Sequence, residues 1–179
     1  MSIVIRPAIF EDIPVLQELI ASSARGLGKG YYTGAQTESA IRHIFGVDSQ
    51  LIGDGTYYAV EADNTIVACG GWSKRNKLFG GDQYGREVAP LLDPAKDAAR
   101  IRAFFVHPGY ARRGIGQMLI YACERAAMEN GFHKMEMGAT LPGVPFYAAM
   151  GYAELEPIDL PMPDGEIIGI VRMGKQLSE

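Results

Sequence analysis

The sequence predicts an α/β protein with a mixed central sheet flanked by helices, and two observations predict it. Apolar periodicity alternates between strand and helix spacing in the order strand, two helices, three strands, helix, strand, helix, two strands. A glycine turn, "YARRGIG" at 110–116, also sits where an apolar strand passes into a long amphipathic helix. The 179 residues are one domain's worth of chain, enough to bury a core without staples. With 47% hydrophobic and 21% charged residues, the composition excludes a disordered or coiled-coil protein.

The elements follow in order. "SIVIRPA" is a short strand stopped by Pro7, and Phe10, Ile13, Leu16, Leu19 and Ile20 then recur at helical spacing up to Gly26. "LGKGYYTGAQTES" reads as a loop before a short helix over Glu38 to Phe45. A hairpin pairs Tyr57–Glu61 with Thr65–Ser73 round Asp63-Asn64, and residues 75–98 form a long connection. "ARIRAFFVHP" is a strand ending at Pro108. The helix after it carries Ile115, Met118, Leu119, Ala122, Cys123, Ala126 and Ala127 on one stripe and stops at Asn130-Gly131. "HKMEMGA" is a strand, "VPFYAAMG" a short helix, and "YAELEPIDL" and "EIIGIVRMGK" are strands round Pro163-Asp164-Gly165.

A net charge of -4 gives no global basic field for nucleic acid or anionic lipid, so an anion site must be local. No apolar window approaches the roughly 18 residues of a membrane span, and no signal peptide precedes the first strand. The expectation is a cytoplasmic protein without membrane or nucleic-acid partners. Cys69 and Cys123 lie in apolar periodic stretches and read as buried, reduced thiols. His43 and His133 lack partners at metal-ligand spacing, so no metal is assigned.

A strand running through a tight turn into a helix presents free N–H groups where the peptide dipoles favour negative charge. Gly114 and Gly116 let a phosphate approach, and Arg112 and Arg113 add charge beside it. A triphosphatase loop needs Gly-Lys-Ser/Thr, but Gly116 is followed by Gln117 and Met118. A dinucleotide fingerprint needs a glycine where this chain has Leu119. The remaining alternatives are another phosphate cradle or a glycine pair that merely closes a turn.

The stretch "FFVHPGYARRGIGQMLIYACERAAMENG" resembles the acyl-CoA loop of the GNAT acyltransferase superfamily, Arg/Gln-x-x-Gly-x-Gly/Ala after the fourth strand. Ala111 stands at its first position. "LPGVPFYAAMGY" is similar to the family's Phe-Tyr-x-x-x-Gly-Phe/Tyr segment, with Thr140 and Gly143 where relatives often carry Asn and Ala. The resemblance spans Ile3 to Arg172. It implies a mostly antiparallel sheet of about seven strands and four helices, splayed between strands four and five. It implies an acetyl-CoA-dependent N-acetyltransferase acting on an amine, with a small-molecule acceptor favoured over a protein N-terminus or lysine. A CoA-binding sensor or structural subunit without turnover is the rival, and the family together with the exposed final strands allows a homodimer.

Carried over residue by residue, the resemblance places the CoA pyrophosphate on Arg113, Gly114, Ile115 and Gly116, with Arg112, Gln117 and Met118 nearby. The pantetheine arm would run along Phe104, Phe105 and Val106. Val106 N–H is the implied oxyanion donor and Tyr147 the implied general acid. The base is open: "IRAFFV" has no carboxylate and Arg102 stays protonated, which leaves water or Glu136. His107 reads as a hydrogen-bonded turn residue. Tyr31, Tyr32 and Trp72 are expected to line the acceptor site. Lys74, Arg75 and Lys77 read as a solvated charge run or as an attractor for an acidic acceptor.

Overall fold

The computed structural model describes residues Met1–Ser178. Seven strands form one sheet: β1 (Ile3–Pro7), β2 (Tyr57–Ala62), β3 (Thr65–Ser73), β4 (Ala99–Val106), β5 (Lys134–Thr140), β6 (Ala153–Pro161) and β7 (Ile167–Gln176), in the spatial order β1-β2-β3-β4-β5-β7-β6. All neighbours are antiparallel except β4 and β5. The helices are α1 (Ile13–Leu27), α2 (Gly34–His43), α3 (Ser49–Gly53), α4 (Ile115–Glu129) and α5 (Val144–Ala149). No helix among the described residues is long and apolar enough to cross a membrane.

Apart from α3, the elements follow one another along the chain in the predicted order, and the differences are local. α2 begins at Gly34 because Thr33 Oγ1 accepts from Gln36 N–H at 3.0 Å while Gln36 Oε1 accepts from Thr33 N–H at 2.9 Å. This reciprocal cap satisfies two donors that the glycine-rich run otherwise leaves to water. α1 continues past Gly26, whose missing side chain lets the helix lie against the Pro108 ring. α3 is an unexpected fifth helix, nucleated where Asp48 accepts from Gln50 N–H at 3.0 Å. Asp63 and Asn64 both take positive φ, the geometry of a two-residue hairpin turn.

The sheet separates two apolar layers. α4 packs on one face with Leu119, Ile120, Cys123 and Ala127 against Met135, Met137 and Met173. α1, α2 and α3 cover the other with Leu16, Ile20, Ala40 and Leu51 against Tyr57 and Ile168. Parallel pairing of β4 with β5 is confined to Ala99–Met135 and Arg100–Glu136, and beyond these the strands separate. The sheet therefore carries a cleft at its centre, reached by both layers.

Burial pushes the Cys69 thiol up from 9.0 to about 12 and also raises Cys123, Tyr57 and Tyr147. Unfolded, these groups lose their protons at lower pH, so their contribution to stability is complete below the unfolded values. It is lost as pH rises through the folded ones. The urea midpoint is therefore expected to fall progressively above about pH 9; a midpoint unchanged to about pH 11 contradicts this.

Candidate functional site

The cleft begins with an irregularity in β4. Register against β3 passes from Gly71–Arg102 to Cys69–Phe105, so Ala103 and Phe104 together face Gly70. Two residues opposite one is a bulge, and Ala103 takes a left-handed φ of 45° there. The fully buried Tyr57 holds it, its hydroxyl donating to Ala103 O at 2.6 Å. The bulge switches side-chain facing along the strand: Phe104 packs in the α4 layer and Phe105 in the opposite one. Further on, His107 N–H reaches back to Val67 O of β3 at 2.8 Å. By the alternation of an extended strand, Val106 N–H then points to the other edge, the side from which β5 has withdrawn.

Past the strand end, His107 Nδ1 accepts from Gly109 N–H at 2.9 Å, which makes it the turn residue expected. Arg112 (φ 62°) and Gly114 (φ 82°) are both left-handed, and Gly114 caps α4 without a side-chain bond. Among the described residues, no protein acceptor takes the N–H groups of Arg112 through Gln117; the first bond of the helix runs from Met118 N–H to Gly114 O at 3.1 Å. Six successive free donors at a helix N-terminus form an anion cradle. The two glycines have different reasons to be there. Gly114 supplies the positive φ, whereas a Cβ on Gly116 would press on the Phe146 ring at 3.2 Å. Arg112 and Arg113 are exposed, with the Arg113 guanidinium 5.1 Å from the centre of the Tyr110 ring. Gln117 and Met118 are exposed on the first turn of α4, and Ile115 anchors that turn in the core.

Tyr147 links the cradle to the cleft. α5 follows β5 through a 3₁₀ turn and sets its ring 6.1 Å from Phe104, 5.2 Å from Phe146 and 6.0 Å from Tyr152. Phe104 and Phe146 stack at 5.9 Å. Burial raises the Tyr147 phenol, so it carries its proton throughout the neutral range. The cleft it borders is lined by Phe45, Phe79, Phe105, Arg102, Leu160 and Ile170, among others. No three of His, Cys, Asp and Glu gather to hold a metal among the described residues.

None of the three expected acceptor residues lines this cleft. Trp72 is only 2% exposed and packs edge-on to Phe132 at 6.0 Å, so it belongs to the α4-side core and not to the cleft wall. Two residues past the bulge partner Gly70 on β3, it shares that glycine's face, the one covered by α4. Tyr31 is half exposed on the loop before α2. Tyr32 is a tie: its hydroxyl donates to Gly169 O at 2.6 Å and accepts from Leu141 N–H at 3.0 Å, joining that loop to β7 and to the end of β5. Glu136 is held by Arg172 at 2.8 Å, and Arg75 and Lys77 are paired with Asp54 and Asp48 at 2.7 and 3.3 Å.

Sequence reasoning missed Phe45 and Phe79. They open two similar stretches, "FGVD" at 45–48 and "FGGD" at 79–82, which are joined by Asp82 N–H to Val47 O (2.9 Å) and, from the residue just before the first stretch, by Gly81 N–H to Ile44 O (2.8 Å). The paired Phe-Gly-x-Asp pattern was the available signal. The long 75–98 connection is thereby built into the cleft wall.

The model of the acetyltransferase (GNAT) family matches residues 21–152, which include β4, the cradle, β5 and α5. The chain belongs to the GNAT acetyltransferase family. No curated protein matches it by sequence. Among solved structures, the GNAT chain is similar to a GCN5-related N-acetyltransferase from Rhodopseudomonas palustris (20% identity, 99% of this chain and 97% of that one, TM-score 0.72). It is also similar to the PaiA N-acetyltransferase of Thermoplasma acidophilum, solved with coenzyme A (16%, 99% and 100%, TM-score 0.65). A third is yncA of Salmonella typhimurium, solved with its cofactor acetyl-CoA (15%, 100% and 96%, TM-score 0.61). At these identities the likeness is one of fold.

Proposed function

We propose that this GNAT chain is a single acetyltransferase domain that moves the acetyl group of acetyl-CoA onto an amine by direct attack. The observation that carries the reading is the row of unpartnered N–H groups from Arg112 to Gln117, opening beside the cleft that holds Tyr147. Those donors fit a pyrophosphate by charge and geometry without any side chain at Ala111. Phe104, Phe105 and Val106 offer the pantetheine arm a strand edge that β5 does not occupy.

The chemistry then follows from the groups present. The amine nitrogen bonds to the thioester carbon as the carbon–sulfur bond breaks, and Val106 N–H donates to the carbonyl oxygen that gains charge. Tyr147 gives its proton to the departing sulfur, and the proton lost by nitrogen returns to the phenol through water. Burial keeps the Tyr147 phenol protonated through the neutral range, so the proton is in place when the sulfur departs.

The reading is tested by calorimetric titration with acetyl-CoA and by thiol release on a panel of amines. Amine-dependent release supports it. Tight binding with no release on any amine would leave a CoA-binding protein without turnover, and release with a lysine or N-terminal peptide alone would make the acceptor a protein. Replacing both Arg112 and Arg113 with Ala is expected to weaken CoA about tenfold, with a smaller loss for pantetheine lacking the phosphates. Equal losses would mean that the arginines do not touch phosphate.

A further inference from the structure

We propose that the acceptor is an aromatic amine, an apolar ring bearing a nitrogen that is uncharged at neutral pH; this rests on the acetyl-transfer reading above. Beside Phe104 and Tyr147, three further aromatic rings wall the cleft: Phe45 from just past α2, Phe79 from the 75–98 connection and Phe105 from β4. Phe45 and Phe105 meet at 5.6 Å and 59°, and Phe79 is backed by Tyr84 at 5.3 Å. Leu160 and Ile170 close the side formed by β6 and β7. A flat apolar body is what such tilted rings accommodate.

The charges decide which nitrogen can enter. Among the described lining residues only Arg102 carries a fixed charge, and it is already matched by Asp48 at 3.1 Å, with Gly80 O at 2.6 Å and Lys77 O at 3.4 Å taking further donors. Asp48 is shared with Lys77 at 3.3 Å. The other nearby carboxylates are engaged: Asp82 accepts from Ser49, and Glu136 pairs with Arg172. Phenols and thiols in the layers beside the cleft, Tyr147, Tyr32, Tyr57, Tyr152, Cys69 and Cys123, are all raised by burial and all neutral. An alkylammonium would leave water here with no counter-ion, and no carboxylate or histidine lines the wall to take its proton.

An aromatic amine avoids both obstacles. Its lone pair is delocalised into the ring, so it arrives uncharged. Once its nitrogen has bonded to the acetyl carbon, that nitrogen is acidic enough to release its proton to water, and Tyr147 supplies the proton that the sulfur takes. No general base is required, which accounts for "IRAFFV" functioning without a carboxylate.

The test compares two isomers, para-ethylaniline and phenethylamine, by thiol release from acetyl-CoA with the full chain. The expected kcat/KM near pH 7 is at least about tenfold higher for para-ethylaniline and is flat from about pH 6.5 to 9, whereas phenethylamine gains about tenfold per pH unit below its pKa of about 10. Phe79→Ala, at a partly exposed position, is expected to lower kcat/KM for para-ethylaniline about tenfold while acetyl-CoA binding stays unchanged. A preference for phenethylamine near pH 7 overturns the aromatic-amine assignment and leaves acetyl transfer standing. Absence of release with para-ethylaniline also overturns it, and calorimetric binding of acetyl-CoA then shows whether the acetyl-transfer reading falls too.

Discussion

Tyr147→Phe is expected to lower kcat by about 10²–10⁴-fold, the range for loss of a positioned general acid, while acetyl-CoA affinity changes by less than about twofold. The substitution removes one oxygen. The phenylalanine ring retains the contacts with Phe104, Phe146 and Tyr152 at 5.2–6.1 Å, and no protein hydrogen bond of the Tyr147 hydroxyl is broken among the described residues. Stability should therefore change little, which separates a chemical defect from a folding one. Steady-state thiol release with wild-type-like thermal unfolding is the measurement. An undiminished kcat would remove Tyr147 from the reaction and leave solvent to protonate the sulfur.

The second large effect concerns the ion pair under the cleft. Arg102 and Asp48 have side chains only 1% and 6% exposed. Burial pulls the guanidinium down and the adjoining Asp48 carboxylate counters it, so the pair is held together by mutual need. Asp48→Ala leaves a buried guanidinium facing only the Gly80 and Lys77 carbonyls, and removing one partner of such a pair costs about 3–5 kcal/mol. It also removes the acceptor at the start of α3. A fall in melting temperature of about 10 °C is expected for a chain of this size. The double variant Asp48→Leu, Arg102→Met should recover part of the loss because no fully buried charge is stranded; Lys77, which also loses Asp48, is partly exposed and keeps its bond to Gly85 O. A double variant less stable than Asp48→Ala would mean that the pair contributes through packing of its stems and not through charge.

The site was unevenly legible in the sequence. The cradle was legible because it is local: Gly114 and Gly116 lie two residues apart, and the strand before them and the helix after them each announce themselves by period. The "PFYAAMGY" segment singled out Tyr147, which the fold places beside the cleft. The wall of the cleft was not legible, because its members come from the segment after α2, the 75–98 connection, β4, β6 and β7 and meet only when the sheet closes. Trp72 illustrates the converse. An amphipathic side chain on a strand can face either layer, and the bulge at Ala103 and Phe104 gives no strong sequence mark of itself. The α2 boundary was missed because glycine content suggested a loop, whereas the Thr33–Gln36 cap outweighs the propensity cost of Gly34.

Local chemistry written in the chain determined the order of elements, the turn at Asp63-Asn64, the stop at Gly131 and the anion cradle at Arg112–Gln117. Tertiary structure alone decided the parting of β4 from β5, the inward turn of Phe45 and Phe79, the burial of Trp72 and the pairing of Arg102 with Asp48. The physical reason is range. Backbone torsion, capping and periodicity act within a few residues, whereas a cleft with its own charge balance is a sum of contacts between segments far apart in sequence, each too weak a signal until the sheet brings them together.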